Sequence, residues 1–192
     1  MKEIADVLVE HMKHKGLRYD LYRPSVKIPG MRGYVLPLEA ERCLLTCRVI
    51  ICEGTRYVRV ETCIGVRVQE HQCAAVGEFL TRANCEMKLG YFQLDMCSGE
   101  VAYVVAATFE ESEVSEMMLH RLISNAVGTY DEVFPGLVKV IFCETEPREA
   151  IEEIKRRWHA PRQRDIDIAV EKLFMNSGPY TEEPLDDAGL LL

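Results

Sequence analysis

No apolar run in this chain approaches the roughly 18 residues that a membrane-spanning helix requires, so no such helix is expected. There is no Cys-x-x-Cys, no glycine-rich phosphate loop and no His-Glu-x-x-His. Those gaps remove the usual spacings for structural zinc, nucleotide phosphates and zinc-dependent hydrolysis. Histidine is sparse: His11, His14, His71, His120 and His159 are the whole supply of imidazole. A nucleophile needs a base within reach and a third group to orient that base. His71 and Cys73 stand two apart on a predicted helix, where they do not face each other. No catalytic residue, cofactor site or metal ligand is therefore assigned, and the chain is not expected to be an enzyme.

Basic charge is also short, with 23 Lys and Arg against 31 Asp and Glu and a net charge of −8. A nucleic-acid surface would have to be local. The opening Met1-Lys2-Glu3-Ile4-Ala5-Asp6 is acidic and amphipathic, unlike the basic-then-apolar start of a signal peptide. A cytoplasmic protein is expected.

What is present is an ordinary globular composition, 48% hydrophobic and 28% charged over 192 residues. That length suits one domain with a tail. Eight cysteines stand out, several inside apolar runs such as Cys43-Leu44-Leu45-Thr46-Cys47. Reduced cysteine packs as a small hydrophobe, and that role is expected here.

Along the chain, Ile4, Val7, Leu8, His11 and Met12 recur at helical spacing, with Gly16 as a stop. Leu17 to Tyr22 reads as a strand. Pro24, Pro29, Gly30, Gly33 and Pro37 predict a long irregular loop over 24–37. Two period-two strands follow. Cys43, Leu45, Cys47, Val49 and Ile51 occupy one face of the first, and Val58, Val60, Thr62, Ile64, Val66 and Val68 one face of the second. Arg59, Glu61 and Arg67 point the other way. A tight turn pairing Glu53 with Arg56, with Gly54 first in its loop, places both apolar sets on one face. Cys43 and Cys47 then lie on the core side and Cys52 and Cys63 on the other, so the four cannot converge on zinc.

A second helix is predicted from Glu70 to about Met87, then strands over 90–96 and 100–109. Val101 to Ala107 is apolar on both faces, the mark of a strand covered from both sides. One cover would be helices; the other would be a dimer mate, a bound segment or another helix of this chain. A third helix is expected from Glu111 to about Tyr130, a separate helical piece from Pro135, and a last helix opened by Glu146-Pro147 with Ala150, Ile151, Ile154 and Trp158 as its stripe. Strands in runs with helices at their edges argue α+β with an antiparallel sheet.

The domain is placed at 1–158. An extension over 159–192 carries a short amphipathic helix at Ile166, Ile168, Val170, Leu173 and Phe174, then an acidic, flexible end. Residues 155–164 hold five Lys or Arg and Trp158. They offer a nucleic-acid patch, against which stands the complement of a helix C-terminus.

The order α-β-β-β-α-β-β-α is similar to the type III secretion chaperone-like fold, and within it the chain resembles the YbjN family. The resemblance rests on Asn84, Gly90-Tyr91-Phe92-Gln93-Leu94-Asp95, Gly99-Glu100-Val101 and Tyr103. It continues with Asp131, Phe134-Pro135-Gly136-Leu137 and Glu146-Pro147-Arg148-Glu149-Ala150-Ile151. It implies a cytoplasmic, commonly dimeric protein that binds other proteins, described as regulatory or sensory, with no catalytic residues. The expected function is a non-catalytic protein-binding module, chaperone-like or regulatory, acting as a homodimer. Its expected partner surface is Val101, Tyr103, Val105, Ile166, Leu173 and Phe174. The alternative is a nucleic-acid-binding regulator using 155–164.

Overall fold

The computed structural model describes residues 2–23, 30–110 and 112–159. Its elements are α1 (Ile4–His14), β1 (Asp20–Tyr22), β2 (Met31–Glu39), β3 (Leu44–Cys52), β4 (Tyr57–Arg67), α2 (Cys73–Asn84), β5 (Tyr91–Leu94), β6 (Glu100–Thr108), α3 (Glu116–Phe142) and α4 (Pro147–His159). The six strands form one open antiparallel sheet in the order β1-β2-β3-β4-β6-β5. This is an α+β fold. The predicted Ile166–Phe174 helix and acidic end lie outside the described residues.

The β3–β4 register is the one the alternation demanded: Ile51 pairs with Val58 and Val49 with Val60. The turn differs from the expected one. Glu53–Thr55 forms a 3-10 turn, and the left-handed residue is Arg56 (φ 48°), not Gly54. Glu53 has a second task at this corner. Its carboxylate accepts the backbone N–H groups of Ile4 at 3.1 Å and Ala5 at 2.8 Å. The first turn of α1 has orphan donors and a positive dipole end, and Glu3 at its N-cap provides no side-chain bond. A residue 48 positions away supplies the missing cap.

Residues 31–37, expected as loop, belong instead to strand β2, so a fourth strand precedes α2. Tyr34, Leu36 and Leu38 alternate into the core, and the glycines and prolines concealed that alternation. β1 pairs only with Gly33–Val35. Pro37 therefore lies on a stretch of β2 with a strand on one side, where proline is tolerated.

The second correction concerns Pro135, which starts no new helix. It lies inside α3, a single helix of 27 residues. An interior proline removes a backbone bond and crowds the preceding turn. Burial on both sides offsets that cost: Asp131, Val133, Gly136 and Leu137 are all buried. A Cβ added to Gly136 would lie 2.5 Å from Ile154 Cδ1 and 2.9 Å from Phe79 Cζ, so α2, α3 and α4 meet at a residue without a side chain. Ser115 caps α3, accepting Met118 N–H at 3.3 Å. Thr62 ties α3 to β4 by donating its hydroxyl to Ala126 O at 3.0 Å.

The main core gathers residues from all four helices and from one face of the sheet. Cys63, Ala102 and Val104 form a separate buried cluster on the opposite face.

Candidate functional site: the open sheet face and the Trp158 groove

Pairing carries a row of residues across the face that has no helix among the described residues: Asp20, Val35, Arg48, Glu61, Val104 and Tyr91 stand opposite one another from β1 to β5. The next row contains Thr46, Cys63, Ala102 and Gln93. On this face five charges alternate in sign. Arg59 Nε meets Glu61 Oε1 at 2.6 Å, and Glu61 Oε2 meets Arg48 Nε at 3.2 Å. Arg48 also pairs with Glu100, whose other oxygen meets Arg67 Nη1 at 3.1 Å. The side chains of Glu61, Arg48 and Glu100 are 12%, 17% and 19% exposed. Charges this far from water persist only when paired. Burial works against the charge on Arg48, yet the bond it donates to Glu100 and the nearby acids raise its pKa above the ordinary value. Burial likewise pushes the Cys63 thiol up to about 11 and the Cys47 thiol up to about 12. These thiols are packing groups. Around this half-buried centre stand Leu44, 74% exposed, and Tyr91, 45% exposed.

Val101, Tyr103 and Val105, expected to present a partner surface, are buried in the main core on the helix side of the sheet. The opposite side of β6 carries Ala102, Val104 and Ala106. Ile166, Leu173 and Phe174 lie outside the described residues. The sequence did send Arg59, Glu61 and Arg67 to the side away from the core, but their closure through Arg48 and Glu100 needs the order β3-β4-β6, which alternation alone does not supply.

A groove of about 480 Å³ opens on the helix side, between residues 86–89, α3 and the end of α4. Met87, Leu89, Gly128 and Trp158 are among its walls, with Tyr103 at its base. The Tyr103 hydroxyl donates to Leu89 O and lies 3.2 Å from Asn125 Oδ1. Trp158 Nε1 donates to Glu132 Oε2 at 2.8 Å. At the same wall Ser124 Oγ stands 3.4 Å from His120 Nε2, one helical turn away. The sequence reading missed this pair, whose only signal is i,i+4 spacing. Ser124 sits mid-helix, where neighbouring N–H groups bond carbonyls four residues back, so none is aimed as an oxyanion hole would require.

His11 faces His120 edge-on at 5.2 Å between centroids, and Glu116 at 3.5 Å. Glu116 also takes His14 at 3.1 Å. Among the described residues no three His, Cys, Asp or Glu side chains are placed to hold a metal ion. Within the basic segment, Lys155 is paired with Glu86 at 2.7 Å. Residues 160–164 lie outside the described part. No helix among the described residues is long and apolar enough to cross a membrane.

The residues that carry the family resemblance mostly secure the architecture. Asn84 clamps Phe92 twice, donating Nδ2 to its carbonyl at 2.9 Å and accepting its N–H at 2.6 Å. Gly90 (φ 74°) has Val104 O 2.5 Å from the position of a Cβ, and Gly99 (φ 69°) has Val68 O at 2.3 Å. Asp131 anchors the β2–β3 turn through Arg42. Pro147 sits at the first position of α4, where it forfeits no helical bond. Compared with known proteins, the chain matches no family model and no curated sequence.

Proposed function

We propose that this chain is a non-catalytic protein-binding module, a chaperone-like or regulatory adaptor of the YbjN type, acting in the cytoplasm as a homodimer. One observation carries the reading: the main core gathers all four helices on one face of the sheet, and the opposite face has none among the described residues. That face combines paired charges with Leu44 and Tyr91, the mixed polarity typical of non-obligate protein interfaces. The expected chaperone-like order α-β-β-β-α-β-β-α shares only the antiparallel α+β arrangement, and the observed order adds strand β2 and a second helix after β6.

Light scattering tests this directly. The full chain is expected at twice its monomer mass. Leu44→Glu with Tyr91→Glu is expected at monomer mass with an unchanged melting temperature. A wild-type chain that is monomeric up to its solubility limit would count against the dimer. Salt-sensitive retention on a heparin column, abolished by Arg156→Glu and Arg157→Glu, would instead favour a nucleic-acid-binding regulator working through 155–164.

A further inference from the structure

Three of the chain's five histidines meet where α1 rests on α3. His11 is 3% exposed, and its ring stands edge-on to that of His120. Its Nδ1 lies 3.5 Å from Glu116 Oε2, the same oxygen that faces His14 Nδ1. Around His11 therefore stand Glu116 and His120 from α3, with His14 and Lys15 from its own helix. Neutral imidazoles need no counter-charge. Protonated, the three rings and Lys15 set four positive charges about one carboxylate, and one of those charges is out of water. Glu116 stays ionised through this change, because its bond from His14 holds it below its ordinary 4.5.

The attachment of α1 is one-sided. Ile4, Leu8 and Met12 are fully buried, and the helix packs chiefly against α3. α3 in turn packs on β3, β4, β6, α2 and α4. α1 precedes every strand in the chain, and β1, which follows it, pairs through three residues only. It can lift without disturbing the sheet order β2-β3-β4-β6-β5.

We infer that α1 is a flap opened by acid: protonation of the histidines crowds like charge into the α1–α3 seam, and the helix lifts while β2–β6 and α3 stay folded. Opening bares the apolar seat beneath Ile4, Leu8 and Met12. Glu116 tempers the effect, but burial outweighs it at His11.

Amide exchange of the full chain at about pH 7.5 and about pH 5.5, corrected for the intrinsic rate at each, tests this. The amides of α1 should open more readily than those of α3 and β4, and with little urea dependence. Their open population should rise about tenfold between the two pH values, the equivalent of one pKa unit. His11→Gln and His120→Gln keep a polar side chain that does not titrate, and each should shrink that rise. His120 is only half-buried, so its variant decides the matter should His11→Gln fail to fold. Glu116→Gln removes the carboxylate from the seam and should enlarge the rise. Equal open populations at the two pH values would overturn the inference. So would α1 amides that exchange only together with α3 and β4, at the same urea dependence. A rise undiminished by either histidine substitution would overturn it as well.

Discussion

Asp131 of α3 holds Arg42 twice. Its Oδ2 receives the guanidinium Nη1 at 2.6 Å, and its Oδ1 receives the Arg42 backbone N–H at 2.8 Å. Cys43 Sγ lies 3.7 Å from the same Oδ1, and burial first, then this carboxylate, pushes its thiol up to about 12. The link fixes the β2–β3 corner to the middle of the longest helix.

Removing that carboxylate should therefore be costly. Asp131→Ala leaves the Arg42 backbone donor unmatched and takes away the closer of its two carboxylates, with Glu41 remaining at 3.6 Å, an expected loss of about 2–4 kcal/mol. Asp131→Asn retains an acceptor for the backbone N–H and should lose less. Urea unfolding of the two variants checks the order.

Glu53→Ala should cost about 1 kcal/mol by stripping the cap from α1. Glu53→Gln should lie between it and wild type. Amide exchange at Ile4 and Ala5 should accelerate in both variants, since both amides bond that carboxylate.

Two glycines of α3 should respond with opposite signs to the same change. Gly128→Ala should stabilise by up to about 1 kcal/mol, because alanine favours a helix and the space is open. Gly136→Ala should destabilise by about 1–2 kcal/mol, because its methyl meets Ile154 and Phe79. Thermal melts of the pair decide it.

Stability should fall as the pH is lowered from about 6.5. Burial depresses the pKa of His11 below its ordinary 6.5, with Glu116 opposing and Lys15 and His14 assisting. His120 faces the ring from α3. The unfolded chain then takes up the proton more readily than the folded one, so acid favours unfolding between 6.5 and the folded value. Urea midpoints through this window should flatten in His11→Gln. Glu116, held below its ordinary 4.5 mainly by its bond from His14, adds its own loss only at lower pH.

In the folded protein at about pH 8, the exposed thiols of Cys85, Cys97 and Cys143 should react quickly with a disulfide reagent. Cys43, Cys47 and Cys63, their thiols raised to about 12, about 12 and about 11, should follow only on unfolding. Rapid modification of Cys47 in folded protein would contradict its packing.

Alternation was enough to give the β3–β4 register and to separate Cys47 from Cys63, because one buried face fixes every residue of a strand. It failed at β2, where Gly33 and Pro37 imitate a loop and only the pairing with β3 restores the strand. It failed again at Pro135, whose helix is sustained by contacts distant in sequence. The chain of charges on the open face was half legible. Its direction followed from parity, but its continuity depends on which strands are neighbours. The groove at Trp158 joins residues from four separate stretches, and no local pattern marks it.

α3, about 40 Å long at 1.5 Å per residue, is made late. A ribosome delivering this chain completes all six strands by Thr108, with only α1 and α2 yet produced to cover them. The apolar side of the sheet must then wait for residues 116–159 before it is sealed. During synthesis, the chain thus passes through a stage with one apolar sheet face uncovered, the kind of surface that promotes aggregation.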